Sequence, residues 1–600
     1  MESQTDPRVR ESLAEYQAQR LERDPWVPVW EDIGYFVHRR SYNFVGGTQN
    51  SNAVIPYGGF TPHGAVYSSR ATIAMDKLSS ALLGMLWKNG ARTFQLRKPG
   101  YIKDTTENKA FYEKLNTTVI KAMEHPSARL TTTLNEDMRE QVSFGVSGIG
   151  VFWEGDPSAP LRYKSYSVRN CTIIEDETGR IDGVFIEESL TRRQLIQRYG
   201  ERGMPSNAPA NYDPLLDTTK VDVIHEIKPN KYFVPGSLAA NQLPYSSLHY
   251  EKGSGKILRD SGFEEMPIKF SRFEKNCDEA YARCPAINAL PAIYEVNEAV
   301  RQLHIGVELD SKLPYGLLDD GTFGGGTIDR SPGGFTIIDV SGRIGGNPLI
   351  PLHQPVNRQP QMMLVESLNG EIDMAFFLDQ VLDLNNQQRQ TLGEANIRNE
   401  IRSEPLAAIM SRQLEEKHVP LIETTVNLLY SNGWLGIVKG SEKERMLLAA
   451  GIEPTYIPDE IAQVMADGKD YYEIQFVSPA ARMMRAEELR GVTDSVRFAA
   501  ELQPLDGGAR LRRYDADKIG RLSDELHGVP ESVLKSEDEY KAGEEAYAEQ
   551  QNIMMQQMAV KSQAEIGKMN AAANQSNAQA QATLALGNGG TGMNGNLDGV

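Results

Sequence analysis

The sequence predicts an α+β chain of several domains, and three observations carry that reading. Apolar residues recur every three or four positions over long stretches, at 71–86, 285–313 and 362–377, which is helical spacing. Strand-like stretches bounded by turn residues cluster apart from these, at 161–188 and 221–273. Strands and helices that come in separate runs, without regular alternation, mark the α+β class. At 600 residues the chain has material for about four domains.

Met1 to Asp24 is charged throughout and reads as a helix, with no secretory leader expected. Trp26, Trp30, Ile33 and Phe36 follow at near-helical spacing and read as a core-facing stripe. Ser41 to Ala65 is rich in Gly, Asn and Tyr and reads as a long loop. Helices are expected at 71–86, 109–123 and 130–144. Gly145, Gly148 and Gly150 then break the pattern before a strand at Val151-Phe152-Trp153. Asp176-Glu177-Thr178-Gly179 sits between two apolar runs as a hairpin turn. Thr191 can cap a helix that Gly200 ends. Prolines at 205, 209 and 214 mark a boundary, after which Val221 to Phe273 reads as a small β-rich module with a hairpin about Lys252-Gly253-Ser254-Gly255.

Pro285 to Leu313 is the clearest long helix, with Ile293, Val296, Val300 and Leu303 on one stripe. Gly316 to Gly346 is Gly-rich and suits tight turns between short strands. Met362 to Phe377 carries Leu364, Leu368, Ile372 and Phe376 at a four-residue step. A second helical pattern runs from Ile397 to Leu429, where Pro405 and Pro420 predict kinks or breaks. Between these two helices lies a polar segment, Asn385-Asn386-Gln387-Gln388-Arg389-Gln390. It has little with which to bury itself, so it should project from its helices. Further helices are expected at 441–465 and 480–502. Lys535 to Leu586 has no proline and a weak apolar stripe, so a helix there needs neighbours. Gly587 to Val600 is Gly/Asn-rich and is expected to be disordered.

Composition excludes several function classes. The formal charge is −18. That argues against a simple nucleic-acid clamp, whose affinity comes mostly from Lys and Arg neutralising phosphates. Cys171, Cys277 and Cys284 are too few for a disulfide framework and lack a nearby His set for zinc, so reduced thiols are expected. The apolar run Leu78 to Trp87 is too short to span a bilayer. Gly253-Ser254-Gly255-Lys256 fails as a phosphate loop, because Tyr250 stands where its first glycine belongs and Ile257 follows the lysine. His225-Glu226 lacks the second histidine of a zinc protease. Arg192-Arg193 and Arg512-Arg513 read as solvated faces or salt bridges. No catalytic set, metal site or cofactor is expected, and the chain does not read as an enzyme.

Six segments in order resemble the head-to-tail connecting proteins of short-tailed bacteriophages, the podovirus-type portal family. LSSALLGMLWKNGARTFQL at 78–96 carries the first likeness, and LNEDMREQVSFGVSGIGVFW at 134–153 resembles the family's helix-then-Gly segment. Residues 163–200 resemble its hairpin followed by a helix ending in aromatic-Gly. AYARCPAINALPAIYEVNEAV at 280–300 resembles its Tyr-Gly-x-Ser-Pro segment, with Ala282 and Cys284 where Gly and Ser are commoner. RQTLGEANIRNE at 389–400 resembles its Thr-Ala-Thr-Glu-Val-x-x-Arg stretch, with Thr391, Glu394 and Arg398 in register and Leu392-Gly393 departing from it. VPLIETTVNLLYSNGWL at 419–435 resembles its closing helix. The likeness covers about Tyr67 to Leu534.

The resemblance implies a portal-type subunit in a ring, usually of twelve, at one capsid vertex. It implies a wing at 1–185 and 314–440, stem helices at 186–204 and 285–313, a clip at 205–284, a crown at 441–534 and a barrel helix at 535–586. The tunnel loop would span about 379–393, with Asn385, Asn386, Gln387, Gln388, Arg389 and Gln390 toward the channel. Ile293, Val296, Val300 and Leu303 would pack neighbouring stems. Implied partners are other copies of the chain, double-stranded DNA read without sequence preference, the terminase large subunit, a tail adaptor, the major capsid and scaffolding proteins and internal core proteins, with no membrane. Assembly in the host cytoplasm and residence in the virion follow. An acidic tunnel would repel phosphate, and amides would give brief contacts to backbone oxygens. Rival readings are another ring component such as a tail adaptor, or an acidic hydrolase or nuclease.

Overall fold

The computed structural model describes residues 6–38, 66–87, 92–155, 160–205, 213, 217, 219–237, 239–319, 329, 331–339, 349–352, 356–379, 406–440, 444–445, 456–478, 491–502, 504, 509–527 and 537–587. Helices and sheets are segregated, and the chain is α+β.

α1 (Pro7–Arg23) starts at Asp6, whose carboxylate accepts the Arg8 amide at 2.9 Å, with Pro7 at the first helical position. It lies on a five-stranded antiparallel meander of β4 (Cys171–Glu175), β5 (Ile181–Thr191), β6 (Lys220–Pro229), β7 (Tyr245–Glu251) and β8 (Ile257–Phe263). Val9 and Tyr16 pack there on Phe185, Ile224, Leu248 and Tyr250. The hairpin turn forms where its residues predict. Asp176 Oδ1 accepts the Thr178 amide at 2.8 Å and Gly179 takes φ 78°.

The main core joins Trp30 and Ile33 of α2 (Val27–Phe36) to α3 (Arg70–Leu86), α4 (Thr106–Met123) and α5 (Leu130–Phe144). Against these helices packs a three-stranded sheet in the order β3 (Leu161–Ser167), β2 (Val146–Trp153), β9 (Ile268–Arg272). The core also takes in the first turns of α7 (Pro285–Ser311) and the helix Val419–Ser431. A third sheet pairs β10 (Tyr315–Asp319) in parallel with β11 (Phe335–Asp339) and antiparallel with β12 (Leu349–Pro351).

Several local features of the fold have identifiable physical causes. The span 186–204, expected as a stem helix, is strand through Thr191, because β5 is laddered on both sides by β4 and β6. Only α6 (Arg192–Tyr199) is helical, closed by the Thr191–Gln194 capping box. β2 does not begin at Val151 but runs from Val146 through both glycines, since the ring of Phe270 fills the space of a Gly148 Cβ at 2.6 Å. The β-rich module does not close on itself. β9 leaves it to pair with β2.

α7 contains Pro291, which costs one backbone bond, yet it continues because Ala289, Leu290, Ala292 and Ile293 hold it to the core. At Pro420 the expected irregularity takes the form of a π-turn and the helix is not broken. This turn, Leu414–His418, precedes it, with the Val419 amide bonded to Leu414, and that extra residue makes room for the proline ring. Residues 457–476, expected in the crown, join the main core through Ile457 and Ile461, and β13 (Glu473–Phe476) pairs with β1 (Phe94–Arg97).

Candidate subunit interface and loop-bearing helices

α7 changes character along its length. Its start is fixed by Cys284, whose thiol donates to the Ser143 carbonyl at 2.9 Å. Burial pushes that thiol, and the thiol of Cys171, up to about 12, so neither is a ready nucleophile. Ile293 and Val296 are buried in the chain's own core, whereas Val300 and Leu303 are half-buried. Beyond them Ile305 and Val307 are exposed. Of the four predicted stem-packing residues, two are therefore already committed within the subunit.

α8 (Gln359–Ala375) lies beside this second half. Arg358, just before it, bonds Asp310 at 2.7 Å and the Gly306 carbonyl at 2.9 Å. A Cβ on Gly306 would sit 2.1 Å from that guanidinium, so any larger residue there would have to displace the Arg358 side chain. Arg70 of α3 bonds Asp373 through Nε at 2.7 Å. Leu368, Ile372 and Phe376 are buried as their spacing predicts, but Leu364 is exposed, together with Met362, Met363 and Met374. These residues and Ile305 and Val307 are large apolar side chains left exposed among the described residues. Sequence reading missed them because helical spacing alone does not say where one chain's core ends.

The described chain stops at Asp379 before the polar segment and resumes at Leu406 after it. α8 closes on buried Phe376 and Leu378, with Phe377 between them at φ 53°. Asn385, Asn386, Gln387, Gln388, Arg389 and Gln390 lie outside the described residues, as does the expected loop beyond Asp379. The chain is described again from Leu406, and Leu406 and Met410 reach the core before the π-turn. Lys417 in that turn is fully buried, ion-paired with Asp137 and bonded to Gln141 at 3.0 Å. His418 beside it is held neutral, its pKa driven down to about 3 by burial and by the Lys417 charge. Glu416 accepts from Arg272 of β9 at 3.0 Å, and Arg272 also pairs with Glu175 of β4. The helix bearing the segment is thus tied to α5 and, through Arg272, to the five-stranded sheet.

The C-terminal helix Glu537–Gly587 differs from all of these. Its 51 residues include Tyr547, Ile553, Met554, Met558, Ile566 and Met569, all exposed. Among the described residues no three His, Cys, Asp or Glu are placed to hold a metal, and no helix is long and apolar enough to cross a membrane.

Comparison with known proteins gives the family. The portal protein of Salmonella phage epsilon15 is 24% identical over 416 residues, covering 68% of this chain and 69% of that protein. The probable portal protein of Bordetella phage BPP-1 is 23% identical over 525 residues, covering 86% of this chain and 87% of that protein. A chain in the neck of an empty GTA particle, computed with C6 symmetry, aligns over 65% of this chain and 91% of its own at 13% identity, with a TM-score of 0.27 that does not establish a shared fold. The model of the bacteriophage head to tail connecting protein family matches residues 10–441, well over half the chain. This chain therefore belongs to the bacteriophage head to tail connecting protein family.

Proposed function

We propose that the chain is the subunit of a portal ring at the head–tail junction of a phage particle. The ring is the channel for double-stranded DNA in packaging and ejection. It docks the terminase large subunit first and the tail adaptor later. The observation that carries this reading is the apolar surface of α7 and α8 left exposed among the described residues, together with a long C-terminal helix whose large apolar side chains are exposed among them too. A heterologous ring gives each such surface a partner on the next copy.

In this reading α7 is the stem, the five-stranded sheet belongs to the clip and the C-terminal helix builds a barrel. Asn385 to Gln390 face the axis, where amides make brief contacts with phosphate oxygens and do not read bases. The subunit acts through shape and performs no catalysis. Cryo-EM of the purified full-length chain tests the proposal. A ring, expected twelvefold, with an axial hole and residues 385–390 on its wall supports it. Monomers at high concentration, or those residues on the outer rim, would overturn it.

A further inference from the structure

A cleft of about 840 Å³ opens between the five-stranded sheet, the β2–β3 ladder and the helix Val419–Ser431. None of its lining residues belongs to α7 or α8, and the inference does not rest on the ring reading. Its inner end is built from aligned side chains. His225 of β6 and His249 of β7 are register partners, and their rings stack at 3.6 Å and 13°. Ser247 bonds Nε2 of His225 at 2.9 Å, and Tyr199 bonds Nδ1 of His249 at 2.9 Å. One nitrogen of each ring, His225 Nδ1 and His249 Nε2, has no protein partner among the described residues. In the tautomers where Ser247 and Tyr199 donate, each of those nitrogens carries a proton to give.

Charge is distributed unevenly along this cleft. Lys164, Arg198 and Arg259 line the histidine end. Lys164 and Arg198 share one carboxylate, Glu188, and Arg259 makes no ion pair among the described residues. That leaves the histidine end with excess positive charge. Burial and these three cations keep His225 neutral, at about 3. Glu264 and Glu265 also line the cleft, Glu265 accepting from Thr424 at 3.0 Å and from Asn427, and Trp153, Leu243, Phe263 and Leu428 supply apolar wall.

From this arrangement we propose that the cleft binds a peptide segment of a partner protein, its carboxylate seated against Arg259 and the histidine pair and an adjoining apolar side chain on the Trp153–Phe263 wall. A nucleic-acid backbone fits poorly. Its phosphates follow one another closely, at about one charge per 1.7 Å of duplex axis, and would meet Glu264 and Glu265. A single carboxylate flanked by apolar groups uses both halves of the cleft and avoids that repulsion.

The test titrates the full-length protein by calorimetry with a capped hexapeptide alternating Glu with Phe and Leu. A Gln-for-Glu peptide and a short DNA duplex serve as the other arms. The acidic peptide should bind at least tenfold more tightly than its Gln counterpart, and Arg259→Glu should remove that preference. Arg259 is exposed and unpaired among the described residues, so the variant should fold, which an unchanged circular dichroism spectrum checks. Equal binding of the two peptides, no binding of the acidic one, or an Arg259→Glu protein that keeps the preference would overturn the proposal. Duplex binding that competes with the peptide and disappears in Arg259→Glu would reassign the cleft to nucleic acid.

Discussion

The segment around the π-turn and the C-terminal helix are opposite answers to one problem. At the π-turn, a lysine with no solvent exposure is enclosed by α5, and its charge is met by Asp137 and Gln141. In the C-terminal helix, methionines and isoleucines that a core would readily take stand in water. One region buries what is costly to bury, while the other exposes what is favourable to bury. The difference teaches that the chain satisfies its own costly groups around the π-turn, whereas among the described residues the C-terminal helix leaves its apolar side chains exposed. A helix without its own core draws its stability from packing against other helices.

The contrast can be broken most strongly at the ion pair. Lys417→Met leaves Asp137 buried and unpaired and should destabilise the subunit by about 3–5 kcal/mol. Urea unfolding measures this, and a change under ~1 kcal/mol would show that the pair contributes little. Acidification comes next. Burial holds His225 and His418 at about 3, below their ordinary 6.5. Between those values the unfolded chain binds protons that the folded chain refuses. Stability therefore falls as pH drops below 6.5, by about 1.4 kcal/mol per pH unit for each histidine. His418→Phe should lessen, and not abolish, the fall of the urea midpoint between pH 7 and 5, because His225 remains.

A smaller effect is expected where α7 meets α8. Gly306→Ala displaces the Arg358 guanidinium and weakens its bond to Asp310, a loss of about 1 kcal/mol readable as a lower thermal midpoint. The least effect on the subunit is expected in the C-terminal helix. Met558→Lys should change subunit stability by under ~0.5 kcal/mol, yet it should reduce the yield of rings by size-exclusion chromatography. A large loss of subunit stability from Met558→Lys would mean that the helix is buried within its own chain after all.

The candidate site was only partly legible. The helices on either side of the polar segment follow from apolar steps, and Leu368, Ile372 and Phe376 are buried as those steps predict. The Arg272 link between Glu416 and Glu175 had no signal, because its three residues are far apart in the chain. The histidine pair was equally silent. His225 and His249 meet only through β6–β7 register, and a lone histidine in a strand carries no mark of its partner.

What the sequence determined by itself is local. The Asp176–Gly179 turn, the Thr191 cap, the end of α6 at Gly200 and the bounds of α5 follow from residues within a few positions of one another. The tertiary structure decided everything that depends on distant neighbours. It made strand of 186–191 by laddering β5 between β4 and β6, carried β9 over to β2, and drew 457–476 into the main core. It also divided α7 into a buried half and an exposed half. Caps and turns are short-range hydrogen bonding and steric preference, whereas burial is a property of whichever surface happens to face another.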